Sequence, residues 1–167
     1  WSVLYVVVAA MLQMLGDVPF DADTAYHFAV TRLIVRHGML HSFPWTAYSV
    51  LARHYADKEL IFHLLFLPFA GLSFPLASKL FGVALESALL SVMAFVLRRE
   101  GVSRASVWPL VALTACSLFT FRFALVRPHL IAVSLALLAT WAAARARKSL
   151  LFAVAALYPL SYIAWHT

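Results

Sequence analysis

Apolar runs separated by short basic clusters are the feature of this chain that most restricts its fold. Hydrophobic residues make up 64% of the sequence and charged residues 12%, and the mean hydropathy is +0.89. These values are typical of polytopic membrane proteins and lie outside the range of soluble domains. Because a span needs about 20 mostly apolar residues, we expect an all-α transmembrane protein with about five spans. The predicted spans cover residues 1–16, 75–97, 106–122, 129–144 and 149–165.

The basic side chains predict how these spans are oriented. Two clusters follow the second and fourth runs, and they contain Arg98, Arg99 and Arg104, then Arg145, Arg147 and Lys148. Lys and Arg are concentrated in cytoplasmic loops of membrane proteins. We therefore expect the loop 17–74 and the hairpin 122–127 on the external side. The same distribution accounts for the net charge of +6, so anionic lipid headgroups are expected as partners and nucleic acid is not.

The two ends of the sequence predict a piece of a longer transmembrane domain. The first run, WSVLYVVVAAMLQMLG, is short for a span and no initiator Met or cleavable leader precedes it. The last run stops at its outer end. Residues 1–167 are therefore expected to be the N-terminal part of one domain.

The single Cys116 excludes a disulfide within these residues.

Polar and aromatic residues are concentrated between Pro19 and His63, directly after the first apolar run. This segment holds four of the seven acidic residues and five of the seven histidines. Ionisable groups beside membrane spans cost free energy and usually serve a function. We therefore expect the working site of the protein in this segment.

Two amphipathic helices, joined by an aromatic loop, are predicted within this segment. Asp23 or Thr24 is suited to cap the first helix, and His37-Gly38 is suited to end it. Such a helix lies along a membrane surface. The second helix is predicted from Asp57, with Glu59 and His63 on one face.

The sequence Asp23-Thr-Ala-Tyr26-His27, followed by an amphipathic helix that ends in His-Gly, resembles the first external loop of the GT-C membrane glycosyltransferases. It is similar to the Asp-Pro-Tyr-Tyr-His segment of oligosaccharyltransferase catalytic subunits. Uncharacterised bacterial members are similar also at Phe43-Pro44-Trp45-Thr46, at residues 54–59 and at Arg127-Pro128-His129. The second acidic external pair and the soluble C-terminal domain of oligosaccharyltransferases are not present in these residues.

The resemblance implies transfer of a sugar from a polyprenyl phosphate or diphosphate to an acceptor on the external face of a bacterial inner membrane. It implies that Asp23 is the catalytic residue, either as a base toward the acceptor or as a ligand of Mg²⁺ or Mn²⁺. Tyr26, His27, His54 and Glu59 are expected to contact the substrate. A simple helix cap is the alternative role of Asp23.

The departing lipid phosphate requires positive charge, and Arg122 and Arg127 are expected to supply it. Both lie on the predicted external side, where Arg is unusual. A continuous helix would separate two residues five apart by about 140°, so both can face one phosphate only if the chain turns before Pro128. The alternative is that both side chains extend to the lipid headgroups.

Other interpretations of the same residues stay open at this point. His27, His54, His63 and Glu59 could together bind a metal ion, although no His-Glu-x-x-His motif is present. A transporter or flippase of a lipid-linked saccharide would use the same phosphate-binding arginines without making a bond. A membrane subunit without a substrate is the third alternative.

Overall fold

The computed structural model describes residues 1–15 and 21–162 and is built from α-helices, with no β-strand in those two ranges. The all-α prediction is therefore confirmed. These two ranges contain eight α-helices: α1 Ser2–Leu15, α2 Ala22–His37, α3 Leu60–Phe66, α4 Phe74–Arg99, α5 Trp108–Thr114, α6 Ser117–Ala124, α7 His129–Ala144 and α8 Lys148–Leu157. Short 3-10 turns cover Val50–Ala52, Leu67–Phe69 and Tyr158–Leu160.

Helix α4 is the central element, since α1 and α7 both pack along it and α8 packs on α7. Aromatic side chains from α3 and α4 form the centre of the core. The rings of Phe66 and Phe81 stack at 4.3 Å, and Phe62 meets Phe81 edge-on at 5.1 Å. All three side chains are buried. The second helix of the polar segment is thereby anchored to α4.

Gly82 allows α1 and the segment after α6 to approach α4 closely. A Cβ atom at this position would lie 2.7 Å from the Gln13 side chain and 2.9 Å from Val126 Cγ2. The Gln13 amide can therefore reach across, where it donates to the Glu86 carboxylate and, at 3.0 Å, to the Ala124 carbonyl.

The two basic clusters lie together at one end of α4, and the polar segment lies at the other. Glu100, at the end of α4, pairs with Arg145 at 2.7 Å. At the opposite end, the ring of Phe74 packs 5.5 Å from that of Phe28 in α2. The 26 residues of α4 span about 39 Å, so the two ends are well separated, as the charge pattern predicts.

The prediction of five spans is not supported. Within the described part of the chain, only α4 is long and apolar enough to cross a membrane alone, while α6 and α7 meet this test together but are bent by 110°. Helices α1 and α8 have 14 and 10 residues. Residue 16 and residues 163–165 of the predicted first and fifth spans, and residues 17–20 of the predicted loop, lie outside the described ranges.

The predicted span over 106–122 is divided into two short helices. Cys116 is extended between α5 and α6, with φ −151° and ψ 129°. The Thr120 hydroxyl donates to the Leu113 carbonyl, which would otherwise accept a bond from a continuing helix. The bond from the Thr120 side chain thus accompanies a break in the helix. Hydropathy does not reveal this break, because the residues on both sides of it are apolar.

Both helices of the polar segment begin at a different residue from the one predicted. Asp21, not Asp23 or Thr24, caps α2, and its side chain accepts from the Asp23 amide at 3.3 Å. The predicted end is confirmed, with Gly38 at φ 74°. Helix α3 begins at Leu60 instead of Asp57, because the Asp57 carboxylate accepts from the backbone N–H two residues later at 3.1 Å and forms a turn.

Candidate functional site

A cavity of about 260 Å³ lies at the polar end of the protein, where α2, the segment before α3 and the chain between α6 and α7 meet. Six of the seven predicted site residues line it: Asp23, Tyr26, His27, Glu59, Arg122 and Arg127. Lys58, Pro128, His129 and Tyr162 complete the described lining. His54 does not line the cavity, because it lies exposed in the loop before α3.

The chain turns between Arg122 and Arg127, as phosphate binding by both would require. Helix α6 ends at Ala124, Leu125 is extended with ψ 126°, and α7 leaves at an angle of 110°. Proline disfavours the helical conformation at the residue before it, so Pro128 is compatible with this break. Both guanidinium side chains consequently line the same cavity.

Arg127 is held by two carboxylates from the start of α2. Its Nε and Nη2 atoms donate to the two oxygens of Asp21 at 2.5 and 2.7 Å, and Nη1 lies 3.1 Å from Asp23 Oδ2. The bidentate bond lowers the pKa of Asp21 below its usual range, and the same bond raises the pKa of Arg127. Asp21 thus joins α2 to the chain before α7 across 106 residues of sequence.

Asp23 presents its carboxylate to the cavity beside this ion pair. Its side chain is 58% exposed, whereas that of Asp21 is 13% exposed. The contact of Asp23 with Arg127 involves only its Oδ2 atom. Binding of Mg²⁺ or Mn²⁺ by Asp23 stays a prediction.

A hydrogen-bonded chain of buried side chains lies behind the cavity. His63 Nδ1 donates to Asp57 Oδ2 at 2.6 Å, so Nε2 of a neutral His63 can only accept. His27 Nδ1 donates to that atom at 2.9 Å. Burial, together with the positive charge that His63 can carry, lowers the pKa of His27 to about 3, so this side chain is neutral at physiological pH.

Glu59 lies beside the two imidazoles and is only 7% exposed. Its Oε2 atom is 3.9 Å from His27 Nδ1, a distance too long for a hydrogen bond. Burial raises the pKa of this carboxyl group. Glu59 is therefore a second carboxyl group at the cavity, in a much drier environment than Asp23.

The aromatic loop packs against Tyr26 and fixes one wall of the cavity. Phe43 stacks on Tyr55 at 5.2 Å, and the hydroxyl groups of Tyr55 and Tyr26 are 3.4 Å apart. The Tyr55 amide donates to the His41 carbonyl at 2.9 Å, which closes the loop on itself. Burial raises the pKa of both tyrosines, so both are phenols at physiological pH.

Four residues of the cavity lining are not among the predicted site residues: Lys58, Pro128, His129 and Tyr162. Lys58 adds a third cationic side chain beside the two arginines. The His129 Nε2 atom donates to the Arg122 carbonyl at 2.9 Å and thereby stabilises the turn. Lys58 is next to Glu59 in the sequence and His129 is next to Pro128, so their positions could have indicated that they belong to the site. Nothing in the sequence indicates that Tyr162 lies there.

A second cavity of about 440 Å³ lies at the opposite end of the protein and is also basic. Arg99, Arg145 and Arg147 line it together with Trp141. It contains no carboxylate side chain in its described lining. The two cavities therefore differ in chemistry, because only the first combines cations with acids.

Comparison of the chain with protein-family models, with curated proteins and with solved structures found no match.

Proposed function

We propose that this chain is part of a membrane glycosyltransferase of the GT-C kind, which transfers a sugar from a polyprenyl phosphate or diphosphate to an acceptor at the external membrane face. The observation that carries the proposal is the cavity that combines Asp23 with Arg122, Arg127 and Lys58. In glycosyl transfer from a lipid phosphate, cations stabilise the departing phosphate and a carboxylate can accept the proton of the acceptor. The resemblance of the segment around Asp23 to the first external loop of these enzymes supports the same function.

The distribution of polar and apolar side chains supports a lipid environment. Gln13 and Glu86 are buried against each other, while large apolar side chains of α1 face outward. These are Val3, Leu4, Val6, Val7, Met11, Met14 and Leu15. A soluble protein would have the reverse arrangement. We propose that α4 crosses the bilayer, with the basic clusters on the cytoplasmic side and the cavity on the external side.

Each side chain has a distinct part in the proposed reaction. Asp23 accepts the proton of the acceptor hydroxyl group as its oxygen attacks the anomeric carbon of the sugar. The bond from that carbon to the phosphate oxygen breaks, and the lipid phosphate leaves with the electron pair. Arg122 and Lys58 stabilise the departing anion. Because attack and departure occur on opposite sides, the configuration at the anomeric carbon inverts.

Arg127 has a different part, because its guanidinium is already occupied by Asp21 and Asp23. It orients the Asp23 carboxylate toward the incoming acceptor, through the 3.1 Å contact with Oδ2. The assignment of phosphate binding therefore moves from both arginines to Arg122 together with Lys58. Arg127 still contributes positive charge to the cavity.

The test is release of polyprenyl phosphate from polyprenyl-phosphate hexoses by membranes that contain the full chain. Asp23→Asn retains an oxygen that can accept from Arg127 but removes the base, so we expect turnover to fall at least 100-fold, at the lower end of general-base contributions. Glu100→Gln is the matched control, since it neutralises a carboxylate at the opposite end. It should leave turnover unchanged.

Near wild-type turnover of Asp23→Asn would contradict the proposed role of Asp23. Transbilayer movement of the lipid-linked sugar by the wild-type chain, without release of polyprenyl phosphate, would contradict transfer and favour the transporter. Release of polyprenyl phosphate and transbilayer movement of the lipid-linked sugar can both be measured with the same membranes. Equal protein levels and equal helical content of the variants make the comparison valid.

A further inference from the structure

His27, Glu59 and His63 form a compact group of three metal-ligating side chains, each less than a tenth exposed. One ligand atom from each lies within 4.8 Å of the other two. We propose that these three residues bind one divalent transition-metal ion of the zinc class. This proposal does not depend on the proposed function.

The distances between the donor atoms are close to those of a tetrahedral site. Zinc to nitrogen and zinc to oxygen distances of about 2.0–2.1 Å place two such ligand atoms about 3.3 Å apart. His27 Nδ1 lies 2.9 Å from His63 Nε2 and 3.9 Å from Glu59 Oε2. The ligand atoms of Glu59 and His63 lie within 4.8 Å of each other. Movements of about 1–2 Å in side chains that already face one another would complete the coordination geometry.

Asp57 supplies the interaction that a metal-binding histidine requires on its other nitrogen. Its carboxylate accepts from His63 Nδ1 at 2.6 Å, and this bond leaves the lone pair of Nε2 directed at the proposed metal. A carboxylate that fixes the tautomer of a ligating histidine is a general feature of zinc sites. The turn that places Asp57 there also places Glu59, because the Glu59 amide donates to Asp57 at 3.1 Å.

Glu59 is the residue that distinguishes a metal site from a simple pair of hydrogen-bonded histidines. The bond between His27 and His63 satisfies those two nitrogens, but no hydrogen bond to the Glu59 carboxylate is present within residues 1–15 and 21–162. The Glu59 side chain is only 7% exposed and reaches solvent only at the cavity, so a charge there loses much of its hydration. A cation among the three side chains would compensate the charge and provide the missing ligand contact.

The fourth coordination position of the proposed ion faces the cavity. His63 is fully buried, whereas His27 and Glu59 both line the cavity. Three protein ligands with one open position are typical of zinc sites that bind an exchangeable ligand, whereas structural sites are closed by four protein ligands. A water molecule or an anion from the cavity would occupy that position.

The first test measures bound zinc after the detergent-purified full chain has been incubated with Zn²⁺ and desalted. We expect about one zinc ion per wild-type chain and less than about one tenth of that for His63→Ala and for Glu59→Gln. His54→Ala is the matched control, because His54 is exposed and lies in the same loop region. It should retain the wild-type content. A wild-type chain without zinc, or equal zinc loss in His54→Ala, would overturn the site.

Asp57→Asn tests the site without removal of a ligand. It keeps the size of the side chain, and we expect metal affinity to fall about 10- to 100-fold in competition with a chromophoric chelator. Co²⁺ bound to the wild-type chain should show the intense visible absorption of tetrahedral coordination, and inorganic phosphate should change it through the open position. Unchanged affinity of Asp57→Asn, or the weak spectrum of hydrated Co²⁺, would overturn the assigned coordination.

Discussion

Replacement of Arg127 by Lys tests the ion pair that joins α2 to the chain before α7. Arg127 makes three charge-assisted contacts, two with Asp21 and one with Asp23. A Lys ammonium group is a single point and cannot reproduce this fork. It can keep one contact with Asp21, so about two of the three contacts are lost, and the net positive charge of the chain stays the same.

The expected cost follows from the number of lost contacts and their exposure. Two lost hydrogen bonds at about 0.5–1.5 kcal/mol each correspond to about 1–3 kcal/mol. The Arg127 side chain is 29% exposed, so solvent screening lowers this to about 1–2 kcal/mol. The loss should appear in the free energy of unfolding, measured in mixed micelles by titration with denaturing detergent and followed by far-ultraviolet circular dichroism.

Arg145→Lys is the matched control for this measurement. Arg145 makes a bidentate pair with Glu100 at 2.8 and 2.7 Å, but that pair is exposed at the opposite end. Its loss should be clearly smaller than that of Arg127→Lys. Equal effects of the two substitutions would refute the reasoning, because geometry rather than burial would then decide the cost. If Arg127→Lys left the free energy of unfolding unchanged, the contacts of the Arg127 guanidinium with Asp21 and Asp23 would not stabilise the fold.

Three further predictions concern packing, pH and orientation. Gly82→Ala should lower the free energy of unfolding by about 1–3 kcal/mol, since its Cβ would contact Gln13 and Val126. The control Gly71→Ala meets nothing within 4 Å and should change this free energy by less than about 0.5 kcal/mol. Equal losses in the same denaturation titration would contradict the close approach of α1 to α4. The Asp21 carboxyl group, which faces Arg127, Asp23 and His27, has a lowered pKa in the folded protein. Its contribution to the free energy of unfolding is therefore complete above the unfolded pKa of 3.8 and is lost as the pH falls through the folded pKa. Asp21→Asn should remove this part of the acid-induced loss of stability, and identical pH curves of the variant and the wild type would disprove it. In a Cys116→Ser background, Ser42→Cys should react with an impermeant thiol reagent from outside and Arg99→Cys should not; the opposite result would invert the orientation.

Some features of the site could be predicted from the sequence, because they follow from rules that act on neighbouring residues. The charged segment after the first apolar run, the end of α2 at Gly38 and the need for a turn before Pro128 follow from composition, helix capping and helix geometry. The structure contains each of these features. In the structure, Asp23, Arg122 and Arg127 line one cavity.

The partners within the site could not be predicted, because they depend on tertiary contacts. Nothing in the local sequence distinguishes Asp21 from Asp23, yet only Asp21 forms the bidentate pair with Arg127. The contact between His27 and His63 joins positions 36 residues apart. The predicted span over 106–122 is not supported for a related reason, since hydropathy averages over residues and does not detect the hydroxyl bond of Thr120 that divides α5 from α6.

The central claim is that the cavity at Asp23 receives a lipid phosphate, and covalent labelling tests it most directly. Membranes that contain the full chain would be irradiated with a polyprenyl phosphate that carries a photoactivatable group beside its headgroup, and the labelled peptides would be sequenced. We predict labels on the peptides that contain Lys58 and Arg122, with most of the labelling lost in Arg122→Gln. Labels confined to the second basic cavity, lined by Arg99 and Arg145, would contradict the claim.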